Sequence, residues 1–492
     1  MSVASKPLFA FDNTYVRELP ELAQPWQGAE VESPVILALG AQLAAELGLD
    51  PERLQSPEGA AVLSGSTAPE GAEPVAMAYA GHQFGGYSPV LGDGRALLLG
   101  EVIDRHGVRQ DVHLKGSGKT PFARAGDGKA AIEPMLREFA ISEAMHALGI
   151  RTARSLAVVA TNEPVRRETL LPGAVLTRIA ESHLRVGTFE FVAAQGDEAL
   201  LRKLTDYAIA RHHPEAAEAE RPALDFYRRV VEAQADLVAS WMLVGFVHGV
   251  MNTDNVAISG QTIDYGPCAF MDAYDLQTVF SSIDSGGRYA YGNQPMIAQW
   301  NLARLGEALL PLIGASRSAV EELEAVLHGF TVRYRETFTA GMGRKLGLKP
   351  GAPDLDLLVD DLLLLLQNQK PDFTQFFRGL SASLTGSDAR VRAQFPEVDG
   401  FDRWAARWRE TLAEQGVSHA DAAEQMDRVN PVYIPRNHLV QEALDAATGG
   451  DLAPFAAMLK VLEEPFTERP GLEAWAAPQQ DDPGTFRTFC GT

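Results

Sequence analysis

The sequence predicts an α+β protein with two lobes, a β-rich lobe followed by a mainly helical one. Between residues 85 and 180, short apolar runs alternate with glycine-containing turns, which is the pattern of consecutive strands. One long amphipathic segment, PMLREFAISEAMHALG (134–149), interrupts these runs and predicts a single helix within the β-rich part. From about residue 190 onward, helical patterns dominate. This order predicts a cleft between the two parts.

The elements can be placed in order along the chain. Residues 1–75 contain helical patches such as VILALGAQLAAELGL and predict an N-terminal extension that packs on the core. The runs GGYSPVLGDGRALLLGEVI, QDVHLKG, RSLAVVAT and AVLTRIA predict strands in a first lobe at residues 76–188, with the helix starting near Pro134. We predict a helical second lobe at 189–340 and a helical C-terminal extension at 341–492.

Composition restricts the class of protein. The 492-residue chain is 46% hydrophobic, as a folded globular protein is, and carries a formal net charge of −22. A general nucleic-acid binder needs a basic face, so this charge argues against nucleic acid as a partner. A small phosphate ligand remains compatible, because a few local lysines and arginines suffice to make a positive pocket.

The chain shows no sign of export or membrane insertion. It begins without a basic stretch followed by an apolar one, and its most apolar run, LDLLVDDLLLLLQ (355–367), is short and interrupted by two aspartates. We expect that run to form a buried helix. Cys268 and Cys490 are the two cysteines, with no CxxC spacing, so we expect reduced thiols in a cytoplasmic protein without membrane contact.

The turn Gly92-Asp93-Gly94-Arg95 lies between two apolar strands. Its glycines allow positive φ and close approach of the backbone to a ligand, and Arg95 could pair with a phosphate. An ordinary hairpin turn is the commoner interpretation of an Asp-Gly pair, and this motif alone does not decide between them.

Lys115 ends the strand QDVHLKG, where a compact cation suits a phosphate. The following GSGK lacks the GxxxxGK[ST] spacing of a P-loop. Glu138, on the predicted helix, could turn inward and fix Lys115, or it could be a surface glutamate. Arg178 and Arg185 lie seven residues apart in VLTRIAESHLRVG and could converge on one anion or remain surface charges.

The segment HGVMNTDNVAISGQTIDYG (248–266) carries the strongest chemical signal. VAI and TI flank the turn SGQ, which predicts a tight hairpin whose two ends lie side by side. Asn255 and Asp264, one at each end, supply the oxygen ligands that Mg²⁺ prefers, and the adjacent Asp254 could accept a proton from an attacking hydroxyl. An Asn/Asp-rich turn without chemistry is the weaker alternative.

A strand lysine, a helix glutamate and then Asn–hairpin–Asp-x-Gly follow the order of parts in a protein kinase. The kinase HRD aspartate is absent, since Gly249 and Val250 follow His248, and no G-x-G-x-x-G, VAIK or APE is present. These departures, with AYAGHQFGGYSPVLGDGRALLLGE, HLKGSGKTPFARAGDGKAA, HGVMNTDN, IDYGPCAF and GRYAYGNQPMIAQWNLARL, resemble the bacterial branch of the selenoprotein O family over most of the chain.

The resemblance implies a protein-kinase-like bilobal fold and a protein adenylyltransferase. It implies transfer of AMP from ATP, bound in a flipped orientation with Mg²⁺ or Mn²⁺, to Ser, Thr or Tyr hydroxyls of proteins. In this family resemblance Asp254 would be the proton acceptor, and Asn255 and Asp264 would hold the metal. Lys115, held by Glu138, would contact phosphate. The other nucleotide-binding residues would be Gly92, Gly94, Arg95, Asp127, Gly128, Arg178 and Arg185.

The resemblance also bears on the two cysteines. Some bacterial members link a C-terminal cysteine to one in the loop after Asp-Tyr-Gly; here that implies a Cys268–Cys490 pair, although the family's loop position falls near Phe280, which is not a thiol.

Two rival functions also remain. These are a protein kinase that transfers the γ-phosphate and a pseudokinase scaffold that binds nucleotide without turnover.

Overall fold

A computed structural model of the protein describes residues 7–479 and 486–488. The expected α+β class is confirmed: the described chain combines one large antiparallel sheet with a mainly helical part. No helix in the described ranges has both the length and the apolar character needed to cross a membrane.

The N-terminal residues supply the two outer strands of the sheet. Their elements are α1 (Thr14–Glu18), a 3₁₀ turn (Pro20–Leu22), β1 (Ala23–Pro25), β2 (Val35–Leu39), α2 (Ala41–Glu46), α3 (Pro51–Leu54) and α4 (Pro57–Leu63). The expected helical patch VILALGAQLAAELGL was therefore wrong in its first half. The apolar run VILAL pairs with a long neighbouring strand instead, and a helix starts only after Gly40.

The sheet part follows directly in the chain. Its elements are β3 (Val75–Met77), β4 (Gly81–Gln83), β5 (Gly86–Ser88), β6 (Ala96–Ile103), β7 (Arg109–Lys115), β8 (Ala130–Ala131), α5 (Ile132–Ala147), β9 (Arg154–Arg166) and β10 (Leu170–Ala180). The strand order is β1-β3-β6-β7-β10-β9-β2, with β8 paired to β10, while β4 and β5 form a separate two-stranded hairpin.

The register of this sheet brings the basic residues together. Lys115 at the end of β7 faces Ala96 of β6 and Leu176 of β10, and Arg178 of β10 faces His113 of β7. Helix α5 packs against β9 and β10 through Leu136, Phe139 and Ala140, which are buried. The core contacts of α5 fix its rotation and therefore the direction in which its polar residues point.

The helical part begins after β10. Its elements are α6 (Val186–Ala194), α7 (Glu198–His212), a 3₁₀ turn (Pro214–Glu218), α8 (Pro222–Val244), β11 (Phe246–Val247), a 3₁₀ turn (Thr253–Asn255), β12 (Ala269–Phe270), a 3₁₀ turn (Tyr291–Asn293), α9 (Gln294–Ile313) and α10 (Arg317–Lys345). The expected hairpin at 255–264 is reduced to a tight turn with one antiparallel bridge, Val256 to Thr262. His248 Nε2 donates to Ile263 O at 2.9 Å and closes the base of this turn.

The C-terminal residues form a further helical layer. Its elements are α11 (Leu355–Gln369), α12 (Phe373–Thr385), α13 (Ala389–Arg392), α14 (Val398–Glu414), α15 (His419–Asp427), α16 (Asn437–Thr448), α17 (Ala453–Leu462) and α18 (Glu473–Ala476). The run LDLLVDDLLLLLQ is helical as expected, but only one side of α11 is buried. Leu357 and Leu364 are 62% and 61% exposed because the run covers the full circumference of the helix.

Candidate active site

A cleft with two adjoining chambers lies where β6, β7 and β10 meet the turn at 250–267. The first chamber, of about 430 Å³, is lined by Lys115, Arg178, Arg185, Asp254 and Asp264, among others. The second, of about 610 Å³, is lined by the glycine-rich segments 91–95 and 122–129. Gln83, Arg95 and Asp254 line both chambers.

Lys115 and Glu138 form a buried ion pair. Lys115 Nζ donates to Glu138 Oε2 at 2.6 Å, and the two residues are 7% and 2% exposed. Glu138 reaches the lysine because the apolar side of α5 packs on the sheet and turns this glutamate inward. Of the two sequence interpretations of Glu138, the inward orientation is the one the structure has, and the surface alternative is excluded.

Asp264 accepts hydrogen bonds from three cations. Lys115 Nζ lies 2.9 Å and Arg178 Nη1 2.7 Å from its Oδ1, and Arg185 Nη1 lies 3.1 Å from its Oδ2. Burial alone would raise the pKa of Asp264, but these three cations outweigh it and hold the pKa well below its ordinary value. Asp264 also has a left-handed backbone, with φ of 60°, a conformation that few non-glycine residues adopt. Such local strain is concentrated at functional sites.

Arg178 and Arg185 do converge, as one of the two sequence interpretations held. Each is 3% exposed. Arg178 Nη2 donates to His113 Nδ1 at 3.1 Å, and the guanidinium of Arg185 lies 4.5 Å from the ring centroid of Tyr79. A stacked or hydrogen-bonded guanidinium has little rotational freedom, so both arginines are held ready to bind an anion.

Asp254 is the carboxylate beside this cluster. It is 8% exposed, its Oδ2 accepts from Gln83 Nε2 at 3.3 Å, and its buried Oδ1 has no hydrogen-bond partner among the described residues. Burial raises the pKa of Asp254 to about 6, with Arg185 acting in the opposite direction. A buried carboxylate with one unpartnered oxygen and a pKa below neutrality is suited to accept a proton.

Asn255 and Asp264 line the same chamber on the two sides of the tight turn. Asn255 Nδ2 donates to Val250 O at 3.0 Å, which leaves the amide oxygen of Asn255 as an acceptor. The described residues contain no cluster of three or more His, Cys, Asp or Glu side chains able to hold a metal. Two oxygen ligands completed by water and phosphate nevertheless fit Mg²⁺, which rarely uses an all-protein set of ligands.

The glycine-rich segments allow close packing in the second chamber. Gly92 has φ of 63°, and a Cβ there would meet Phe122 at 2.3 Å; at Gly128, φ is 74° and a Cβ would meet the backbone of Gly118 at 2.2 Å. A side chain at position 92 would push its turn away from Phe122, and one at position 128 would push its turn away from Gly118. Gly94 lines both chambers, and Asp127, at the exposed rim of the second, is bound to Arg167 at 2.8 Å.

The charge of the first chamber is opposite to that of the whole chain. Five cations (Arg95, Lys115, Arg124, Arg178 and Arg185) line it against three carboxylates (Asp93, Asp254 and Asp264). Within a chain of net charge −22, a local excess of cations in a cleft attracts a polyanion such as a nucleotide phosphate.

Several lining residues were missed by sequence reasoning. Tyr79, Gln83 and Arg124 line the cleft although we assigned them no role, and Asn252 lies beside Asp254. Tyr79 and Gln83 belong to AYAGHQFGGYSP, a segment dense in Gly, His and aromatic residues that sequence analysis used only for the resemblance. Unusual composition outside any amphipathic pattern was the signal that could have identified them.

Cys268 is completely buried and forms no disulfide within the part of the chain that the structure describes, and burial raises the pKa of its thiol to about 12. A thiol in that state is a poor nucleophile for disulfide formation. Cys490 lies outside the described residues. The suggested link between these two cysteines therefore remains a prediction, and the state of Cys268 does not support it.

Comparisons with known proteins agree on one family. The family described as protein adenylyltransferase SelO matches residues 9–463. A protein nucleotidyltransferase YdiU from Pseudarthrobacter chlorophenolicus is 55% identical over 499 residues, covering 100% of both chains. A protein of the same name from Mycobacterium sp. (strain KMS) is 58% identical, covering 98% of this chain and 99% of its own. Another from Cereibacter sphaeroides is 57% identical, covering 98% and 100%.

Proposed function

The chain belongs to the family of protein adenylyltransferases SelO and is a nucleotidyltransferase, and from this premise we propose that it transfers AMP from ATP to Ser, Thr or Tyr hydroxyls of other proteins. One observation carries the proposal: Asp254, a carboxylate whose pKa is raised by burial, lines one chamber together with the cations Lys115, Arg178 and Arg185. A proton acceptor and a polyanion site side by side are the two parts that nucleotidyl transfer to a hydroxyl requires.

The cations would bind the far end of the nucleotide. In this proposal Lys115, Arg178 and Arg185 hold the β- and γ-phosphates, so that ATP lies flipped relative to its orientation in a kinase and the α-phosphate faces Asp254. Glu138 holds Lys115 in place. The glycine turns at 92–94 and 127–128 approach the rest of the nucleotide, with Arg95 between the chambers. The sheet at 76–188 and the helices at 189–340 would then act as the two lobes of a kinase-like fold.

Asn255 and Asp264 are the proposed ligands of Mg²⁺ or Mn²⁺. When bound, the cation supplies positive charge to the phosphate oxygens. Asp264 already accepts hydrogen bonds from three cations, so it would hold the metal once the nucleotide phosphates take over part of that pairing. The arginines and Lys115 then neutralise the charge that develops on the leaving pyrophosphate.

The chemical step follows from these positions. The carboxylate of Asp254 accepts the proton of the acceptor hydroxyl, and the hydroxyl oxygen forms a bond to the α-phosphorus. The bond from the α-phosphorus to the oxygen bridging to the β-phosphorus breaks, and pyrophosphate leaves. The products are an AMP ester of the acceptor protein and pyrophosphate, so atoms and charge balance.

The test compares ATP labelled at the α-phosphate with ATP labelled at the γ-phosphate, with Mg²⁺ and then Mn²⁺, and reads the mass of the modified protein. We expect α-label and an added mass of one AMP, lost in Asp254→Asn. Label from the γ-phosphate alone would make the enzyme a kinase and overturn the flipped orientation. ATP binding without any label would favour a scaffold that binds nucleotide without turnover.

A further inference from the structure

The hairpin formed by β4 and β5 (residues 81–88) lies on the turn that carries Asp254. It pairs with no strand of the large sheet. His82 N donates to Thr253 Oγ1 at 2.7 Å, and Phe84 N donates to Asn252 Oδ1 at 3.1 Å. The hairpin is thus attached to both residues that precede Asp254 in the chain.

A buried polar network fixes the base of this hairpin. The His82 ring and Glu190 Oε1 lie 2.5 Å apart, and Thr253 Oγ1 donates to Glu190 Oε2 at 2.5 Å. Glu190, on α6, is 7% exposed. Charge-assisted hydrogen bonds of this kind hold geometry closely, so the hairpin has a defined position relative to the catalytic turn.

Two residues of the hairpin approach Asp254 itself. Gln83 Nε2 donates to Asp254 Oδ2 at 3.3 Å, and a Cβ at Gly81 would lie 2.6 Å from Asp254 Oδ1. Gln83 thus holds Oδ2, while Oδ1 is buried against Gly81, so the hairpin fixes both oxygens of the carboxylate. Glycine at position 81 leaves the room that the second oxygen needs.

The tip of the hairpin presents an apolar edge to the cleft. Phe84 is 40% exposed and Ile283, from the loop after β12, is 55% exposed, and both line the chamber that contains Asp254. The Phe84 ring rests on Tyr289, with centroids 5.0 Å apart, and Tyr289 Oη donates to Asn252 Oδ1 at 2.7 Å. Phe84 is therefore exposed although its backbone and one ring face are held in place.

The apolar edge formed by Phe84 and Ile283 carries no charge that could bind phosphates, which the cationic side of the chamber would bind. The acceptor hydroxyl must come within hydrogen-bond distance of Asp254, and the residue next to Gln83 in the hairpin is Phe84. A polypeptide that places its hydroxyl on Asp254 brings the neighbouring side chain to this edge. A large apolar side chain there would bury the exposed faces of Phe84 and Ile283.

Resting on the proposed function, we infer that the hairpin Gly81–Ser88 is the acceptor side of the active site. Gln83 is a positioning residue that orients Asp254. Phe84, with Ile283, contacts the polypeptide that is modified and selects segments with a large apolar residue beside the target hydroxyl. The acceptor is an exposed polypeptide segment, which can bring both its hydroxyl and the neighbouring apolar side chain into the chamber.

The test uses synthetic peptides with one central Ser, Thr or Tyr, flanked by Leu in one set and by Ala in the other, with α-labelled ATP. We expect wild-type protein to label the Leu-flanked set about tenfold more efficiently in kcat/KM, as one well-buried side chain allows. Phe84→Ala should reduce this preference to about twofold and leave the KM for ATP unchanged. Val90→Ala, which alters an apolar residue 49% exposed and outside both chambers, is the matched control and should keep the preference.

Gln83→Met tests the positioning role because it keeps the side-chain length and removes the donor. We expect kcat to fall about tenfold or more, with the KM for ATP and for peptide unchanged. A purely structural role would instead change both KM values or the unfolding temperature. Equal kcat in wild type and Gln83→Met would overturn the positioning role.

Labelling of the protein itself, followed in the same tubes, separates failure of this inference from failure of the proposed function. In one outcome the protein labels itself but shows no preference for Leu-flanked over Ala-flanked peptides, and in another Phe84→Ala keeps that preference. Either result would refute the acceptor contact while the transferase activity stands. A raised KM for ATP in Phe84→Ala would assign the ring to the nucleotide and also overturn it. No α-label on protein or peptide would refute the transferase and the inference together.

Discussion

Two of the regions in which this protein buries charged groups are the cleft proposed to bind the nucleotide and the junction beneath the C-terminal helices, and they do so differently. In the cleft, three cations converge on Asp264. At the junction, Arg436 donates to Asp272 Oδ1 at 2.5 Å, to Asp372 Oδ2 at 2.7 Å and to Ala476 O at 2.8 Å. Arg436 is 1% exposed, and it joins the loop after β12 to the N-terminus of α12.

The difference lies in the balance of charge and in access. At the junction one cation is matched by two carboxylates, so the ion pairs hold elements together. Asp372 and Asp272 line two neighbouring cavities, but Arg436 itself lines none of the cavities found among the described residues. In the cleft, cations outnumber carboxylates around an open chamber. Burial of charge alone therefore does not mark a functional site in this protein; an excess of one sign facing a cavity does.

The largest expected effect is on stability at the junction. Arg436→Met removes the cation and leaves Asp272 and Asp372 buried without it, which should lower the free energy of unfolding by about 3–5 kcal/mol. The affinity of the folded variant for ATP should be unchanged. Urea unfolding and calorimetric titration with ATP measure the two quantities.

Arg428→Met is the matched control, since Arg428 is an exposed arginine of the same helical layer that forms an ion pair with Glu424 on the surface. It should change the free energy of unfolding by less than about 0.5 kcal/mol. If Arg436→Met weakened ATP binding in the folded protein, the two charge clusters would be coupled and the contrast between them would fail.

The reverse pattern is expected in the cleft. Asp264→Asn keeps the shape of the side chain but removes the charge that would hold the metal, so the rate of AMP transfer should fall by about 10²–10³-fold or more. The protein should lose some stability with the charge of Asp264 but remain folded, because Lys115 and Arg178 keep Glu138 as a partner. Asp272→Asn at the junction should lower stability and leave the rate of the folded protein unchanged. Near-normal transfer by Asp264→Asn would refute its role as a metal ligand.

Lys115→Ala should weaken ATP binding, because a charge-assisted contact to phosphate contributes about 1.5–3 kcal/mol. Glu138 then keeps the longer contact to Arg178 Nη1 at 3.4 Å but loses Lys115, so the variant should also be less stable. Lys119→Ala, four residues away and exposed, should bind ATP like the wild type. Equal affinity in the two variants would reduce Lys115 to a structural partner of Glu138.

Much of the cleft was predictable from sequence because its parts lie on regular elements. Alternation in QDVHLKG predicted that Lys115 ends a strand, and the amphipathic pattern of α5 offered Glu138 as its partner. The turn after Asn255 predicted that Asn255 and Asp264 would face one chamber. In each case a period of two or 3.6 residues, or a tight turn, fixes where a side chain points.

What sequence reasoning could not provide depends on contacts distant in the chain. Arg178 and Arg185 were equally compatible with the surface, because only the pairing of β10 with β7 and the stacking on Tyr79 bury them. The hairpin at 81–88 has no amphipathic period, so the sequence could not predict that it packs on the turn that carries Asp254. The run VILAL was assigned to a helix because its partner β9 lies more than 100 residues later.

The smallest expected effect concerns a buried lysine, and it also tests the contrast between matched and unmatched charge. Lys345, at the end of α10, is 5% exposed, and its Nζ lies 4.0 Å from the ring centroid of Phe377 and 5.4 Å from that of Phe373. No carboxylate in the described ranges forms a salt bridge with it, and burial lowers the pKa of Lys345 to about 7. The aromatic rings offset only part of the cost of burying this cation.

Lys345→Met should therefore stabilise the protein by about 1 kcal/mol at pH 6, where lysine is protonated in both the folded and unfolded states. Between pH 7 and the ordinary lysine pKa of 10.5, the unfolded chain binds more protons than the folded one, so the stability of the wild type rises with pH. The advantage of the variant should shrink across that window. Urea unfolding of both proteins at pH 6, 8 and 9.5 measures it, with exposed Lys349→Met as the control. An advantage independent of pH would mean that packing, and not the unpaired charge, is what the substitution changes.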